Sequence, residues 1–108
     1  MNNKLEQAIN QLINNINESY FNWTNDGYND PTIKLDIKIK SGKKFIKIIE
    51  GTRVWGFVSK TDGTHKGLPM KEGDVFKPAS WSAAAKHTRG NVFADDQNYF
   101  TWTGPKYL

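Results

Sequence analysis

The chain contains no cysteine. Disulfides, thiolate nucleophiles and cysteine-ligated metal sites are therefore excluded, and the fold is indifferent to the redox state of its compartment. No apolar run approaches the roughly 18 residues that a membrane span requires. The Asn-rich N-terminus also lacks the positive, then apolar, pattern of a signal peptide, so a location in the cytoplasm is expected. Signatures of chemistry are missing too: there is no Gly-rich phosphate loop, nucleophile elbow or zinc spacing. His65 and His87 do not have metal-site spacing, and Asp95 and Asp96 are adjacent, so on a strand their carboxylates face opposite ways. No catalytic residue, metal or cofactor is expected, and the chain reads as a binder rather than an enzyme.

What is present suits one domain. A length of 108 residues supports a single modest core. Six Phe, four Trp and four Tyr accompany a lean hydrophobic content of 37%, a density of rings that argues for a folded chain. The net charge of +4 is unevenly spread: residues 1–32 carry −3, residues 33–89 carry +8 and residues 90–108 carry −1. The middle of the chain is where an anionic partner would sit.

Leu5, Ala8, Ile9, Leu12, Ile13, Ile16 and Tyr20 recur at spacings of three and four, which predicts a helix over residues 1–22 with one apolar stripe. Asn is a poor helix former, so this helix must bury its stripe, either in the core or against a second subunit. A turn-rich segment with Trp23 and Tyr28 follows. Residues 32–40 alternate, with Ile33, Leu35, Ile37 and Ile39 on one face and Lys34, Asp36, Lys38 and Lys40 on the other. This strand and a second over 44–50 form a hairpin across Ser41-Gly42-Lys43. Residues 53–60 read as a third strand, 62–74 as a loop and 75–77 as a fourth strand stopped by Pro78. Ser80 then caps a short helix near residues 80–88, Gly90-Asn91 makes a tight turn, and the ring-rich tail is a last edge strand. The fold class is α+β: a single domain over residues 1–108, with the helix packed on an antiparallel sheet over 32–108.

Binding candidates cluster between Phe76 and Phe93, where the chain gathers Lys77, Lys86, His87 and Arg89, the rings Phe76 and Trp81, and the amide of Asn91. A nucleotide-like ligand needs a ring to stack on its base, cations for its phosphates and an amide to read a base edge. The same residues are equally consistent with core rings and solvated cations.

The order of motifs carries a family resemblance. Val54-Trp55-Gly56-Phe57-Val58, Gly73-Asp74-Val75-Phe76-Lys77-Pro78-Ala79-Ser80-Trp81, Ala84-Ala85-Lys86-His87-Thr88-Arg89-Gly90-Asn91-Val92 and the closing Trp102-Thr103-Gly104-Pro105 follow a basic strand entered at Lys43. Over residues 43–108 the chain resembles a group of small bacteriophage proteins, and within it the first family of Thoeris anti-defence proteins, the phage sponges. That resemblance implies a helix packed with an antiparallel sheet, a homodimer or higher homo-oligomer, and non-enzymatic sequestration of cyclic ADP-ribose isomers made by TIR-domain proteins in the host cytoplasm. It also implies a second site for cyclic oligonucleotide signals between subunits. The family's aromatic stacker and the asparagine ten positions later fall on Trp81 and Asn91. Ligand-binding residues are thus expected at Trp81, Asn91, Arg89, Lys86, Phe76 and Lys77. Trp23 is expected to serve as part of a lid. The chain departs from the family in having two arginines, which leaves phosphate contacts to lysines.

Two other readings compete. Lys34, Lys38, Lys40, Lys43, Lys44 and Lys47 form a basic cluster of the kind a nucleic-acid-binding accessory protein uses on a sheet face. A small nuclease or nucleotide hydrolase is the third, and it requires turnover.

Overall fold

The computed structural model describes residues 3–24, 36–95, 97, 99–101 and 104–105, with the side chains of 22–24 outside that set. Helix α1 spans Asn3–Thr24. Its stripe of Leu5, Ile9, Leu12 and Ile16 is buried against Ile46, Ile48, Trp55, Val58 and Val75 of the sheet. The stripe therefore belongs to the core and is not open to a second subunit. The Asn-rich face turns to solvent, where Gln11 Nε2 donates to Asn15 Oδ1 at 2.9 Å.

The strands that follow are β1 (Ile37–Ser41), β2 (Phe45–Glu50), β3 (Arg53–Ser59), β4 (Gly63–His65), β5 (Leu68–Met70), β6 (Asp74–Pro78), β7 (Ala84–Asn91), β8 (Phe100–Thr101) and β9 (Gly104–Pro105). Five of them make an antiparallel sheet in the order β1-β2-β3-β6-β7, and β4-β5 and β8-β9 are separate hairpins. The α+β class expected from the sequence is the class observed. The first half of the alternating segment, Ile33, Lys34 and Leu35, lies outside the described residues, as does Tyr28.

Register explains the two faces of the sheet. The turn at Ser41-Gly42, closed by Gly42 N–H donating to Phe45 O at 2.8 Å, sets Lys40 opposite Lys47 and Ile39 opposite Ile48. Ile46 and Ile48 point to the helix, so Lys47 points away from it. On β3 strict alternation fails: Ile48 pairs with Gly56 but Ile49 with Val54, leaving Trp55 as the extra residue of a β-bulge. The bulge shifts the phase, so Trp55 joins the helix-side core while Val54 joins Phe57, which already faces away from the helix opposite Lys47, in a second core with Phe76, Met70 and Ala84. Trp55 Nε1 donates to Thr101 O at 3.1 Å, and its ring meets Phe100 edge-on at 5.8 Å, which docks the β8-β9 hairpin on the helix side.

Three local expectations are corrected. Residues 80–88 are not helical: Ala79–Ser82 form a turn closed by Ala79 N–H donating to Ala83 O at 2.8 Å, and β7 begins at Ala84. An isolated two-turn helix is marginal in water, whereas pairing with β6 satisfies the backbone of both strands. The supposed loop over 62–74 contains the β4-β5 hairpin, whose two-residue turn has positive φ at both Lys66 (51°) and Gly67 (82°). That is the I′ geometry, carried here by Lys-Gly instead of the stronger Asn-Gly signal. His65 of this hairpin is buried, stacks edge-on against Phe45 and Phe76 at 5.1 Å each, and donates from Nε2 to Ala85 O at 2.9 Å. Gly90 and Asn91 do not form a tight turn either; both lie on β7, opposite Val75 and Asp74.

Gly90 is a packing glycine. A Cβ built there would meet the ring of Tyr99, and burial of that ring raises the Tyr99 hydroxyl well above its ordinary range. Gly90→Ala should therefore cost about 1–3 kcal/mol through overpacking. Thermal denaturation reads this directly, and an unchanged Tm would show that Tyr99 does not pack there.

Candidate functional site

The sheet face away from the helix is half covered. The β4-β5 hairpin lies over Phe76 and Phe57, while the β1-β2 end stays open. There a groove of about 290 Å³ is lined by Lys40, Lys43, Lys44, Lys47, Phe57 and Ser82, together with Phe45 and the turn residues Ser41 and Gly42. Among the described residues four ammonium groups and no carboxylate line it. Lys40 and Lys47 are direct cross-strand partners, an arrangement that repels and is destabilising when nothing lies between the charges. Lys44 Nζ is held by Thr64 O at 2.6 Å, and Lys60 Nζ braces the turn through Ser41 Oγ at 2.8 Å and Gly42 O at 2.9 Å. Lys40 and Lys43 have no hydrogen-bond or ion-pair partner among the described residues.

Trp81 stands beside this groove, 55% exposed, because the Ala79–Ser82 turn lifts it off the sheet. Lys47 Nζ lies over its ring, 4.5 Å from the centroid, a cation–π contact worth about 0.5–1 kcal/mol at an exposed site. A second hollow of about 340 Å³ is lined by Arg53, Val54, Pro78, Ala79, Ser80 and Trp81. The ion pair of Arg53 Nη2 with Glu50 Oε1, at 2.9 Å, holds the guanidinium at that rim. Trp81 thus walls one hollow and its neighbour Ser82 the other.

The remaining expected site residues are not gathered around Trp81. Phe76 is 2% exposed and belongs to the core, so it offers no face to a ligand. Asn91 lies at the far end of β7 and is committed inside the chain. Its Nδ2 donates to Glu72 O and to Asp74 Oδ1, both at 3.0 Å, and its Oδ1 accepts from Phe93 N–H at 2.7 Å. Asp74, itself buried, also accepts from Lys71 N–H at 2.9 Å. Lys77 Nζ donates to Pro105 O at 2.5 Å; burial, and then the nearby Arg89 guanidinium, push its pKa below the usual lysine value. Arg89 is half-buried near Lys77, and Lys86 and His87 are exposed on the edge strand. The side chain of Trp23 lies outside the described residues.

The groove lysines were visible in the sequence as a basic cluster, but Lys47 was not joined to Trp81. Arg53, Phe57 and Ser82 carried no signal. The signal for Lys47 is the hairpin register: a turn at Ser41-Gly42 puts position 47 across from position 40, on the face with the other lysines.

Among the described residues no helix is long and apolar enough to cross a membrane, and no group of three metal-ligating side chains occurs. Residues 1–108 match one family along their whole length. The chain belongs to the family of unknown function DUF7717. No curated protein and no solved structure matches it.

The geometry separates the two residues that the resemblance pairs. Asn91→Ala should lower stability by about 2 kcal/mol, since it removes two part-buried hydrogen bonds, at roughly 1 kcal/mol each, and a third that is exposed. Trp81→Ala should cost less than about 1 kcal/mol, because the ring is exposed and loses chiefly its contact with Lys47. Urea denaturation of both variants checks the contrast; equal losses would contradict it.

Proposed function

We propose that this protein is a non-enzymatic phage anti-defence protein that sequesters a cyclic ADP-ribose-type signal in the host cytoplasm, as its resemblance to the Thoeris sponges implies. The observation that supports this most is Trp81: an exposed ring, braced by an ammonium group and set between two hollows beside a run of lysines. A ring of this kind stacks on a base for about 1–3 kcal/mol, and neighbouring cations neutralise phosphates. Binding without cleavage removes the signal from its receptor, and slow release makes the removal last.

Slow release requires the ligand to be shut away from water. Both hollows are open in a single chain, so closure falls to a second copy in a homodimer or larger assembly. Since the α1 stripe is consumed in the core, that contact uses another surface. Trp81 and Asn91 bracket β7, and its seven residue steps at roughly 3.3 Å each put about 23 Å between their ends of the strand. One chain therefore does not bring both onto one ligand. If both act, they come from different copies, and Asn91 must then exchange its internal bonds for ligand bonds.

Titration calorimetry with cyclic ADP-ribose isomers, followed by heating the complex and chromatography of the released ligand, tests the reading. Tight binding with intact ligand recovered is expected, and Trp81→Ala should weaken it by about 10- to 100-fold. Degraded ligand would make the protein an enzyme, and absence of heat with every isomer would remove the reading.

A second reading is supported by register. Lys38 and Lys40 share a face with Lys47, and Lys43 and Lys44 sit at the adjoining turn, so these five residues of the predicted basic cluster lie together on one side of the β1-β2 hairpin. A nucleic-acid-binding accessory protein uses such a surface. Its affinity for single-stranded DNA should fall steeply as salt rises, through counterion release, whereas an enclosed, stacked ligand responds weakly. A titration series from 50 to 200 mM salt, as rough bounds, separates the two.

A further inference from the structure

We infer that the phosphates of the ligand are held by the lysines of the β1-β2 hairpin, not by the cations of β6 and β7, with Trp81 dividing the site into a phosphate lobe and a ring lobe. The ligand class is a nucleotide bearing a pyrophosphate or two closely spaced phosphates. This deepens the reading above and rests on it in one respect, the placing of the ligand at Trp81.

The first argument is charge without compensation. Lys40, Lys43, Lys44 and Lys47 line a groove that has no acid among the described residues, and Lys40 faces Lys47 directly across the strands. Such a pair repels until an anion enters between its members. The ammonium groups of Lys40 and Lys43 are not engaged by any described residue, and the Ser82 hydroxyl supplies a neutral donor at the same groove. By contrast Lys77 is bonded to Pro105 O, on the side where β9 packs, and the neighbouring Arg89 charge disfavours its protonation further. Lys86 is on the outer edge strand. The cations that the sequence places nearest Trp81 are thus not those that the fold aims at it.

The second argument is size. At about 290 Å³ the lysine groove is at the lower limit of small-molecule sites, enough for phosphates and a sugar but small for a whole dinucleotide. The adjoining hollow of about 340 Å³ has the character that the rest of the ligand needs: Val54 and Pro78 are apolar walls, and Trp81 is a stacking face. Lys47 joins the lobes, since it lines the groove and sits over the Trp81 ring. An anion that draws Lys47 toward the groove frees the ring for the base, so the two lobes fill together.

Amide chemical-shift mapping with three probes tests this: inorganic pyrophosphate, ADP-ribose and adenosine. Pyrophosphate should shift residues 40–47 and Ser82, adenosine should shift residues 78–81, and ADP-ribose should shift both sets. The double variant Lys40→Glu/Lys43→Glu should lose about tenfold or more in affinity for both phosphate probes, while its adenosine shifts persist. Lys4→Glu, one such charge reversal on the helix side of the sheet, should leave all three unchanged. Shifts centred on Lys77, Lys86 and Arg89, no shift with either phosphate probe at millimolar concentration, or unaltered affinity in a folded double variant, would each overturn the inference. Its failure is distinct from failure of sequestration. Phosphate probes in the groove with no binding of any cyclic isomer would sink the sequestration reading alone, and a cyclic isomer whose affinity ignores the double variant would sink this inference alone.

Discussion

At Trp55 the third strand carries one residue more than the strand beside it, and both faces of the sheet depend on that insertion. With strict alternation Trp55 would point to the lysine face and Val54 to the helix. The bulge reverses this, sending the indole into the helix-side core, where its N–H reaches Thr101 O. The contact recruits the short β8-β9 hairpin, and Gly56 next to Trp55 lets Pro105 approach; a Cβ there would lie 3.3 Å from the Pro105 ring and 2.9 Å from Phe76 O. On the other face Val54 is released to pack beside Phe57 with Phe76, Met70 and Ala84. A sheet buried on both sides is how a chain with 37% hydrophobic residues assembles enough core.

The second core covers part of its face, and what it leaves open is chemically one-sided. His65, wedged between Phe45 and Phe76 and bonded to Ala85 O, pins the β4-β5 hairpin over one end. The other end keeps Lys40, Lys43 and Lys47 in a groove with no acid among the described residues. Repulsion within such a groove costs stability, a cost commonly carried by sites that bind anions. Trp81 escapes the core because the chain turns between β6 and β7 at that point, and a turn presents a large ring to solvent at no loss of sheet packing.

Much of this was legible in the chain itself. The three-and-four spacing from Leu5 to Ile16 requires one buried helix face, and the alternation through Ile37, Lys38, Ile39 and Lys40 requires a strand with one wet side. Those periodicities are local: the helix stripe is buried, whereas on β1, an outer strand of the sheet, Ile39 stays 40% exposed despite the alternation. The segment from Ser80 to His87 misled because Ala-Ala-Ala-Lys favours a helix locally, whereas β6 offered a row of unpaired backbone groups that only a strand satisfies. The β4-β5 hairpin was missed because its strands are three residues each and its turn is Lys66-Gly67.

Site residues were harder to read, for a reason of geometry. Trp81 and Asn91 are ten residues apart, but β7 is extended, so that spacing becomes distance and Asn91 ends among Glu72, Asp74 and Phe93 instead of beside the ring. Lys47 lies 34 positions before Trp81 and sits over it, because two strand pairings and a turn bring β2 beneath the β6-β7 connection. The sequence by itself determined the α+β class, the helix stripe, the first hairpin and the basic character of its outer face, since each is set by period or by neighbouring residues. Which rings stay exposed, which cations meet them and which polar side chains are spent inside the fold were decided by the tertiary structure, since these depend on a one-residue bulge and on pairings between strands distant along the chain.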